Sequence, residues 1–443
     1  QLANILFIIT DDLGYGDLSC YGQKQFKTPV LDGLAGNGLR FTDFYSGSTV
    51  CAPARCSLMT GRDQGHATIR GNGAYALRPD PQDLTVATLL KGAGYRTGMI
   101  GKSCVTGNTQ NPEVVLAKGF DVFYGTTSHV DGHFRFPKFV YDQTEKVTFE
   151  GNKLHEGTDY DAELYTKRAE KFIDEQPADQ PFFLLLSYPI PHASVLAPEG
   201  FAEKAAIPND IDYVRERYHY SNVKGVKSNY AGMTMAIDAY VGRLMESLKA
   251  KGVADDTLIM FTSDNGSHFE GGYKPKMLDS NAPLRGGKRD LYEGGIRVPL
   301  IAHWPNGIKK PGEPDAPFAF WDFLPTACEL AGVKVPGQIE GVSMAPTLTG
   351  AGEQKLHDKL YWEFHEQRGR RAVREGDWKV VQYDLKLEKP GKPQLFNLAE
   401  DIGEKNDLAA KHPDRVKAMV QWMDEHRTPC EWFPMKALDD LSK

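Results

Sequence analysis

The sequence lacks any apolar stretch that could cross a bilayer. Its longest runs, Ile5–Ile9 and Phe182–Leu186, fall far short of the ~20 residues a spanning helix needs. Cysteine is sparse. The six present (Cys20, Cys51, Cys56, Cys104, Cys328 and Cys430) include no Cys-x-x-Cys pair, which argues against a zinc ribbon or a thioredoxin-like motif, and they are too few for a disulfide scaffold. No long basic run is present and the net charge is −7, so nucleic acid and anionic membrane surfaces are not expected partners. Internal repeats and low-complexity segments are missing too. What remains is ordinary globular composition, 41% hydrophobic and 25% charged over 443 residues, in a chain longer than one core usually fills. The chain opens on Gln1-Leu2 and enters a strand almost at once, the start expected of a mature protein whose export leader has been removed. A periplasmic or secreted location is the corresponding expectation.

Continuous apolar runs at 4–10, 95–100, 181–187, 257–262 and 298–304 predict strands covered on both faces. Helical patterns lie between them: a short one after Thr28-Pro29, another over 85–90, a third over 161–175. A long amphipathic helix is carried by Tyr230, Met233, Ile237, Tyr240, Val241, Leu244 and Leu248 and closed by Gly252. Buried strands alternating with helices predict an α/β fold, a large mostly parallel sheet sandwiched by helices. After about Gly350 the texture changes. Residues 361–364, 371–374 and 378–383 read as short strands, followed by a helix with Val416, Met419, Val420 and Met423 on one face. The expected division is a catalytic α/β unit over residues 1–350 and a smaller α+β subdomain, antiparallel sheet plus helix, over 351–443.

In an open α/β sheet, ligands bind beyond the carboxyl ends of the strands. Polar pairs fall at four such ends: Asp11-Asp12, Gly101-Lys102, Pro191-His192 and Asp264-Asn265. Asp11, Asp12, Asp264 and Asn265 offer only oxygen ligands, a set suited to Ca²⁺, or failing that Mg²⁺, rather than zinc. Each pair alone is also common turn chemistry. A further stretch, Ser48-Thr-Val-Cys51-Ala-Pro53-Ala-Arg55-Cys56-Ser-Leu-Met-Thr-Gly61-Arg62, reads as a short helix with Pro53 in its first turn and Gly61 ending it. Cys51 is expected just ahead of the helix N-terminus, where amide donors and the dipole favour negative charge. Arg55 can reach back toward the same spot. One reading is an ordinary capped helix with a buried cysteine; the other is an oxyanion site.

Cys51-x-Pro53-x-Arg55 followed by Ser57-x-x-Thr60-Gly61-Arg62 closely resembles the signature of the type I sulfatases of the alkaline phosphatase superfamily. Leu284-Arg-Gly-Gly-Lys288-Arg-Asp-Leu-Tyr-Glu293-Gly-Gly-Ile-Arg297-Val-Pro299 resembles that family's second long signature. The resemblance implies an alkaline-phosphatase-like fold. It also implies that a formylglycine-generating enzyme or an anaerobic maturase converts Cys51 to formylglycine (3-oxoalanine), an aldehyde whose hydrate is the nucleophile. Asp11, Asp12, Asp264, Asn265 and a hydroxyl of the modified Cys51 would bind Ca²⁺. Arg55 corresponds to the residue that steadies the hydrate, and Lys102 and Lys288 correspond to lysines that contact the sulfate. His192 corresponds to the histidine that contacts the sulfate and protonates the leaving oxygen. For His192 on its own, a capped turn histidine is the competing reading, and for Glu293–Pro299 a glycine turn leading into a strand is the preferred one.

One position departs from the family pattern. After the strand ending at Gly101-Lys102 the family usually reads Gly-Lys-Trp-His-Leu-Gly, and Cys104 stands where many members place a histidine that helps break down the hydrate. A thiol of ordinary pKa cannot replace imidazole as a base at neutral pH, so Cys104 is not assigned a catalytic role. His129 or His133 is the candidate to compensate in part. Candidate substrate-binding residues are His66, Arg70, Ser128, His129, His133, His268, Arg285 and His365, although a single exposed histidine is more often a solvated surface residue. The 271–289 loop and His365 resemble those of carbohydrate sulfatases. The expected activity is removal of sulfate from a sulfated poly- or oligosaccharide. The alternatives are a phospho- or phosphonate-ester hydrolase of the same superfamily and, suggested by Cys104, a non-catalytic binder of sulfated glycans.

Overall fold

In the Asn4–Asp11 strand every residue is buried. Leu6 and Ile8 face one core while Ile5, Phe7 and Ile9 face another, because successive side chains of a strand point to opposite faces. A strand apolar on both faces has to be sandwiched. Within residues 2–439, which the computed structural model of the protein describes, this strand lies near the centre of a nine-stranded sheet. From edge to edge the strands are Leu39–Phe41, Leu300–His303, Thr257–Ser263, Asn4–Asp11, Phe182–Pro191, Arg96–Lys102, Val122–Thr126, Phe139–Asp142 and Glu145–Thr148. The five from Thr257–Ser263 to Val122–Thr126 run parallel. The helices Pro29–Gly36, Asp161–Asp174 and Val226–Lys251 contribute to one core, and Cys51–Thr60, Val86–Gly92 and Phe323–Leu330 to the other.

The run at 298–304 behaves differently from the other four. Its strand, Leu300–His303, is antiparallel to Thr257–Ser263. A parallel return needs a crossover long enough to carry the chain back to the opposite edge. Between Ser263 and Leu300 the only helices are the single turns Pro275–Met277 and Glu293–Ile296. The chain therefore stays on the carboxyl side of the sheet, wanders there, and re-enters from that side.

The C-terminal part forms a four-stranded antiparallel meander, Leu360–Phe364, Arg370–Glu375, Trp378–Tyr383 and Gln394–Asn397. The last of these was not expected from sequence. One face packs on the helix Pro413–His426 through Tyr361, Val373, Val380, Met419 and Met423. The other face carries Trp362, Phe364, Ala372 and Val381 into a core shared with Tyr45, Val50, Leu291 and Trp321. Trp362 Nε1 donates to the Ser46 carbonyl at 2.9 Å. At the same junction, Lys379 Nζ lies 2.8 Å from Glu293 and 2.9 Å from Glu404, all three side chains buried. The small sheet thus braces the loop that leads into Cys51.

Candidate active site

The helix Cys51–Thr60 begins at Cys51 itself, with Val50 in the extended conformation as its cap, one residue earlier than the sequence pattern suggests. Gly61 ends it at φ 69°, its N–H bonding the Ser57 carbonyl, the left-handed stop that glycine adopts without steric cost. All ten residues of this helix are buried. Its first turn faces the carboxyl ends of the parallel strands, and there the four polar pairs meet.

Cys51 Sγ lies 3.4 Å from Asp11 Oδ1. Asp12 takes φ 63°, a left-handed turn that directs its N–H to Asp264 Oδ1 at 3.0 Å, while Asn265 Nδ2 donates to Asp12 Oδ1 at 2.6 Å. Arg55 holds Asp264 Oδ2 through Nε and Nη2 at 3.0 and 2.8 Å, and its Nη1 donates to Ser187 Oγ at 2.5 Å and Cys104 Sγ at 3.3 Å. Lys102 Nζ lies 2.5 Å from Asp11 Oδ2. Lys288 Nζ lies 2.8 Å from Asp12 Oδ2, 2.8 Å from His192 Nε2 and 3.1 Å from Glu270 Oε2. With Lys288 donating to Nε2, His192 Nδ1–H donates to the Ala193 carbonyl at 2.6 Å, which fixes the ring orientation and leaves Nε2 turned toward the cluster.

The electrostatics follow from this packing. Burial alone would raise the Asp11 carboxyl, yet Lys102, His192, Arg55 and Lys288 outweigh it and hold the group well below the usual carboxylate range. Asp264 goes the other way: burial and the neighbouring Asp11 push it up to about 7, with Arg55 offsetting only part. Burial disfavours the charged forms of Lys102 and Lys288, but Asp11 holds the first above its ordinary value, and Asp12 with Glu270 holds the second well above. Both lysines therefore stay cationic. Burial, reinforced by Asp11, pushes the Cys51 thiol far up, so an unmodified Cys51 is a neutral thiol and a poor nucleophile.

The donor set fits a hard cation. The carboxylate oxygens of Asp11 and Asp12 and the Cys51 sulfur come within 4.8 Å of one another, and Asp264 and Asn265 close the group. Asn265 Oδ1 is buried with no hydrogen-bond partner. A buried amide oxygen left unpaired is costly, and a cation held by Asp11, Asp12, Asp264 and Asn265 would satisfy it.

The profile of the Sulfatase family matches residues 3–333, and that of the C-terminal region of N-sulphoglucosamine sulphohydrolase matches residues 287–427. The chain belongs to the sulfatase family. Human arylsulfatase A is 30% identical over 467 residues, covering 94% of this chain and 86% of that protein. N-acetylgalactosamine-6-O-sulfatase of Bacteroides thetaiotaomicron is 27% identical over 509 residues, covering 97% and 94%. The crystal structure of Ps i-CgsB in complex with k-i-k-neocarrahexaose superposes with a TM-score of 0.81 at 28% identity, covering 100% of this chain and 97% of that one. This sulfatase is a hydrolase of sulfate esters, and its large mostly parallel sheet with a small antiparallel one is the architecture it shares with its relatives.

The remaining candidate residues of the sulfatase separate into two groups. His133 stacks on His192 with ring centroids 4.4 Å apart. His268 lies on His192 as well, at 5.5 Å, with Nε2 donating to Pro191 and Nδ1 accepting from the Glu270 N–H; burial lowers its pKa to about 4. His129 bonds the Ser103 carbonyl at 3.1 Å, and burial, then Lys102 and Arg55, hold it well below the ordinary histidine range. Ser128 is buried beside it and its carbonyl accepts from Gly132. His66, Arg70, Arg285 and His365 turn their polar groups elsewhere. Arg70 is consumed by Glu363 and the carbonyls of Gly65, Ala67 and Thr428. Arg285 donates to the Glu404 carbonyl and lies 3.7 Å over Tyr292. His365 bonds Pro434 and Lys386, and His66 faces Asp63 and Glu340. Cys104 is packed under Arg55, its thiol raised by burial.

Sequence reasoning missed Glu270, Arg289 and Ser187. Glu270 links Lys288 and His192 to Arg289, whose Nη2 lies 2.8 Å from Glu270 Oε1. Its signal was an acid five residues beyond Asn265 on the carboxyl side of the sheet. Ser187 was the hydroxyl closing the apolar run at 181–187.

Proposed function

We propose that this sulfatase removes sulfate from a sulfated glycan, with Cys51 converted to formylglycine at the reacting position and one Ca²⁺ held by Asp11, Asp12, Asp264 and Asn265. The observation that carries the reading is the convergence around Cys51 of two strand ends bearing oxygen ligands, two buried lysines and an oriented histidine. When present, the hydrated formylglycine supplies the attacking oxygen and Ca²⁺ offsets the repulsion between two anions. Lys102 and Lys288 bind the sulfate oxygens, since their charge survives burial. Arg55 keeps Asp264 in place through Nε and Nη2, its Nη1 anchored on Ser187 and Cys104. When substrate is bound and Lys288 has turned from Nε2 to the sulfate, His192 carries a proton on both ring nitrogens, keeps Nδ1–H on the Ala193 carbonyl and delivers the Nε2 proton to the departing sugar oxygen. Glu270 keeps Lys288 and His192 at their separation.

A glycan substrate is supported by the N-acetylgalactosamine-6-O-sulfatase among the relatives and by the neighbour seen with k-i-k-neocarrahexaose. It is also supported by a cleft of about 640 Å³ that opens beside Glu270, lined by Arg217, Tyr220, Phe269, Arg289 and Gln367 among others. Aromatic faces and guanidinium groups suit sugar rings that carry further sulfates. The deciding experiment is a sulfate-release screen over defined sulfated oligosaccharides, an aryl sulfate, a phosphodiester and a phosphonate ester. The protein used has its Cys51 conversion verified by peptide mass. Release from at least one oligosaccharide above the aryl sulfate supports the reading. Turnover of the aryl sulfate alone refutes the glycan assignment, and faster turnover of a phosphorus ester refutes the sulfate preference.

A further inference from the structure

A second group of ligating side chains meets far along the chain from the catalytic pairs. It lies where the loop after the Cys51–Thr60 helix touches the end of the Pro413–His426 helix. Asp63 is buried. One of its carboxylate oxygens lies 2.6 Å from His426 Nε2 and the other 3.5 Å from His66 Nδ1. Glu340 Oε1 lies 3.1 Å from that same nitrogen of His66, while Glu340 Oε2 accepts from the Asp63 N–H at 3.3 Å. The ligating atoms of Asp63, His66 and His426 all fall within 4.8 Å of one another. His66 Nδ1 is buried, yet it makes no hydrogen bond. Two carboxylates approach it closely but neither is aligned with it, and Glu340 stands beside the group of three at its His66 end.

We propose that Asp63, His66, Glu340 and His426 form a second cation site, one that takes a transition-metal dication of the zinc class. Two imidazole nitrogens and two carboxylate oxygens are a four-coordinate set of borderline softness. That suits zinc and does not suit Ca²⁺, which takes six to eight oxygens. The charges balance, two carboxylates against one dication with neutral imidazoles. The rings are also held in place before any metal arrives. His66 and His426 cross edge-on with centroids 4.8 Å apart, Trp422 stacks on His426 at 4.3 Å, and Tyr361 packs edge-on at 5.4 Å. His426 sits in the last turn of its helix, where the backbone carbonyls favour positive charge. With all four ligands from the protein the site is structural. It pins the exit of the helix that carries Cys51 to the C-terminal helix, where Thr428 N–H already bonds the Gly65 carbonyl at 3.0 Å.

The test uses the full chain with its Cys51 conversion verified, in saturating Ca²⁺, so that the catalytic cation site offers zinc no thiol and is filled. Zinc chloride is added, unbound metal is removed by desalting, and bound zinc is counted by mass spectrometry. The expected result is one equivalent in the wild type, a zinc-dependent rise in melting temperature, and loss of both in His426→Gln. Because His426→Gln also removes a partner of Asp63, Glu340→Gln serves as the milder variant. It should fold as the wild type does and bind zinc at least ~10-fold more weakly. Co²⁺ in place of zinc should give the intense visible absorption of a four-coordinate ion. Absence of bound zinc from the wild type overturns the proposal, as does an equal content in wild type and variants, and so does a six-coordinate Co²⁺ spectrum.

Discussion

In the proposed mechanism Cys51 is the side chain on which the chemistry turns, and its surroundings predict how its loss reads out. Cys51→Ala removes one sulfur from a buried helix and leaves the lysines and carboxylates in place. Secondary structure should therefore persist while sulfate release falls by roughly ten-thousand-fold. Circular dichroism and a sulfate assay on the same preparation check this, and appreciable turnover by a verified variant would remove Cys51 from the mechanism. His192 is expected to act differently. His192→Ala should lower turnover by about a hundredfold or more on a sugar sulfate, whose alkoxide needs a proton. On an activated aryl sulfate, whose leaving group does not, the loss should be much smaller. Equal losses on the two substrates would argue against Nε2 as the proton donor. At this scale the sequence located side chains that the fold brings together, as with the Asp11, Asp12, Asp264 and Asn265 side chains at two strand ends. It failed for Arg70 and His365, because a cation's type does not reveal whether a buried carboxylate such as Glu363 or a carbonyl such as Pro434 has already claimed it.

The junction between the large sheet and the small one rests on Lys379. Its ammonium lies between Glu293 and Glu404, and burial, then the charge of Glu293, already raises Glu404 to about 7. Lys379→Met fills the same volume but leaves two buried carboxylates without their shared cation, which should cost about 3–5 kcal/mol. Denaturant unfolding measures it, and a loss below ~1 kcal/mol would mean that the pair behaves as a solvated one. Elements were legible in proportion to their burial. Strands such as Phe182–Pro191, buried at every position, announce themselves as unbroken apolar runs. Glu145–Thr148, exposed throughout, and the four-residue Gln394–Asn397 carry no such pattern. The direction of Leu300–His303 was hidden for another reason: parallel or antiparallel is decided by the connection that precedes a strand, not by the strand's own residues.

Two buried acids should each withdraw stability as the pH rises from mild acid to neutral. Burial raises Asp17 to about 7, with the Ser280 and Tyr230 side chains and the Gly14 N–H offsetting only part, and burial raises Asp161 to about 7 despite Arg135. In the unfolded chain both titrate near ~3.9. Between those values the folded protein binds more protons than the unfolded one, so stability falls as pH rises from about 4 to about 7 and levels off above. Asp17→Asn should remove its share of that fall, so that the variant gains on the wild type between about pH 5 and about pH 8. Urea midpoints at the two pH values decide it; the same difference at both would mean that Asp17 does not titrate in that window.

The complete burial of residues 51–60 also sets a clock. On the proposed conversion, an oxidising maturase would have to reach Cys51 before this helix is buried, since in the folded protein Cys51 is only 4% exposed. Conversion is then a kinetic competition: chains that close their sheet first are trapped as the cysteine form. Parallel sheets assemble slowly because their pairings are distant in sequence, which lengthens the interval in which the maturase can act. Unconverted protein that is folded and then incubated with the maturase should keep Cys51 as cysteine by peptide mass, while the same chain presented during refolding should convert. Conversion of the folded form to completion would mean that the helix unfolds locally on the timescale of maturation.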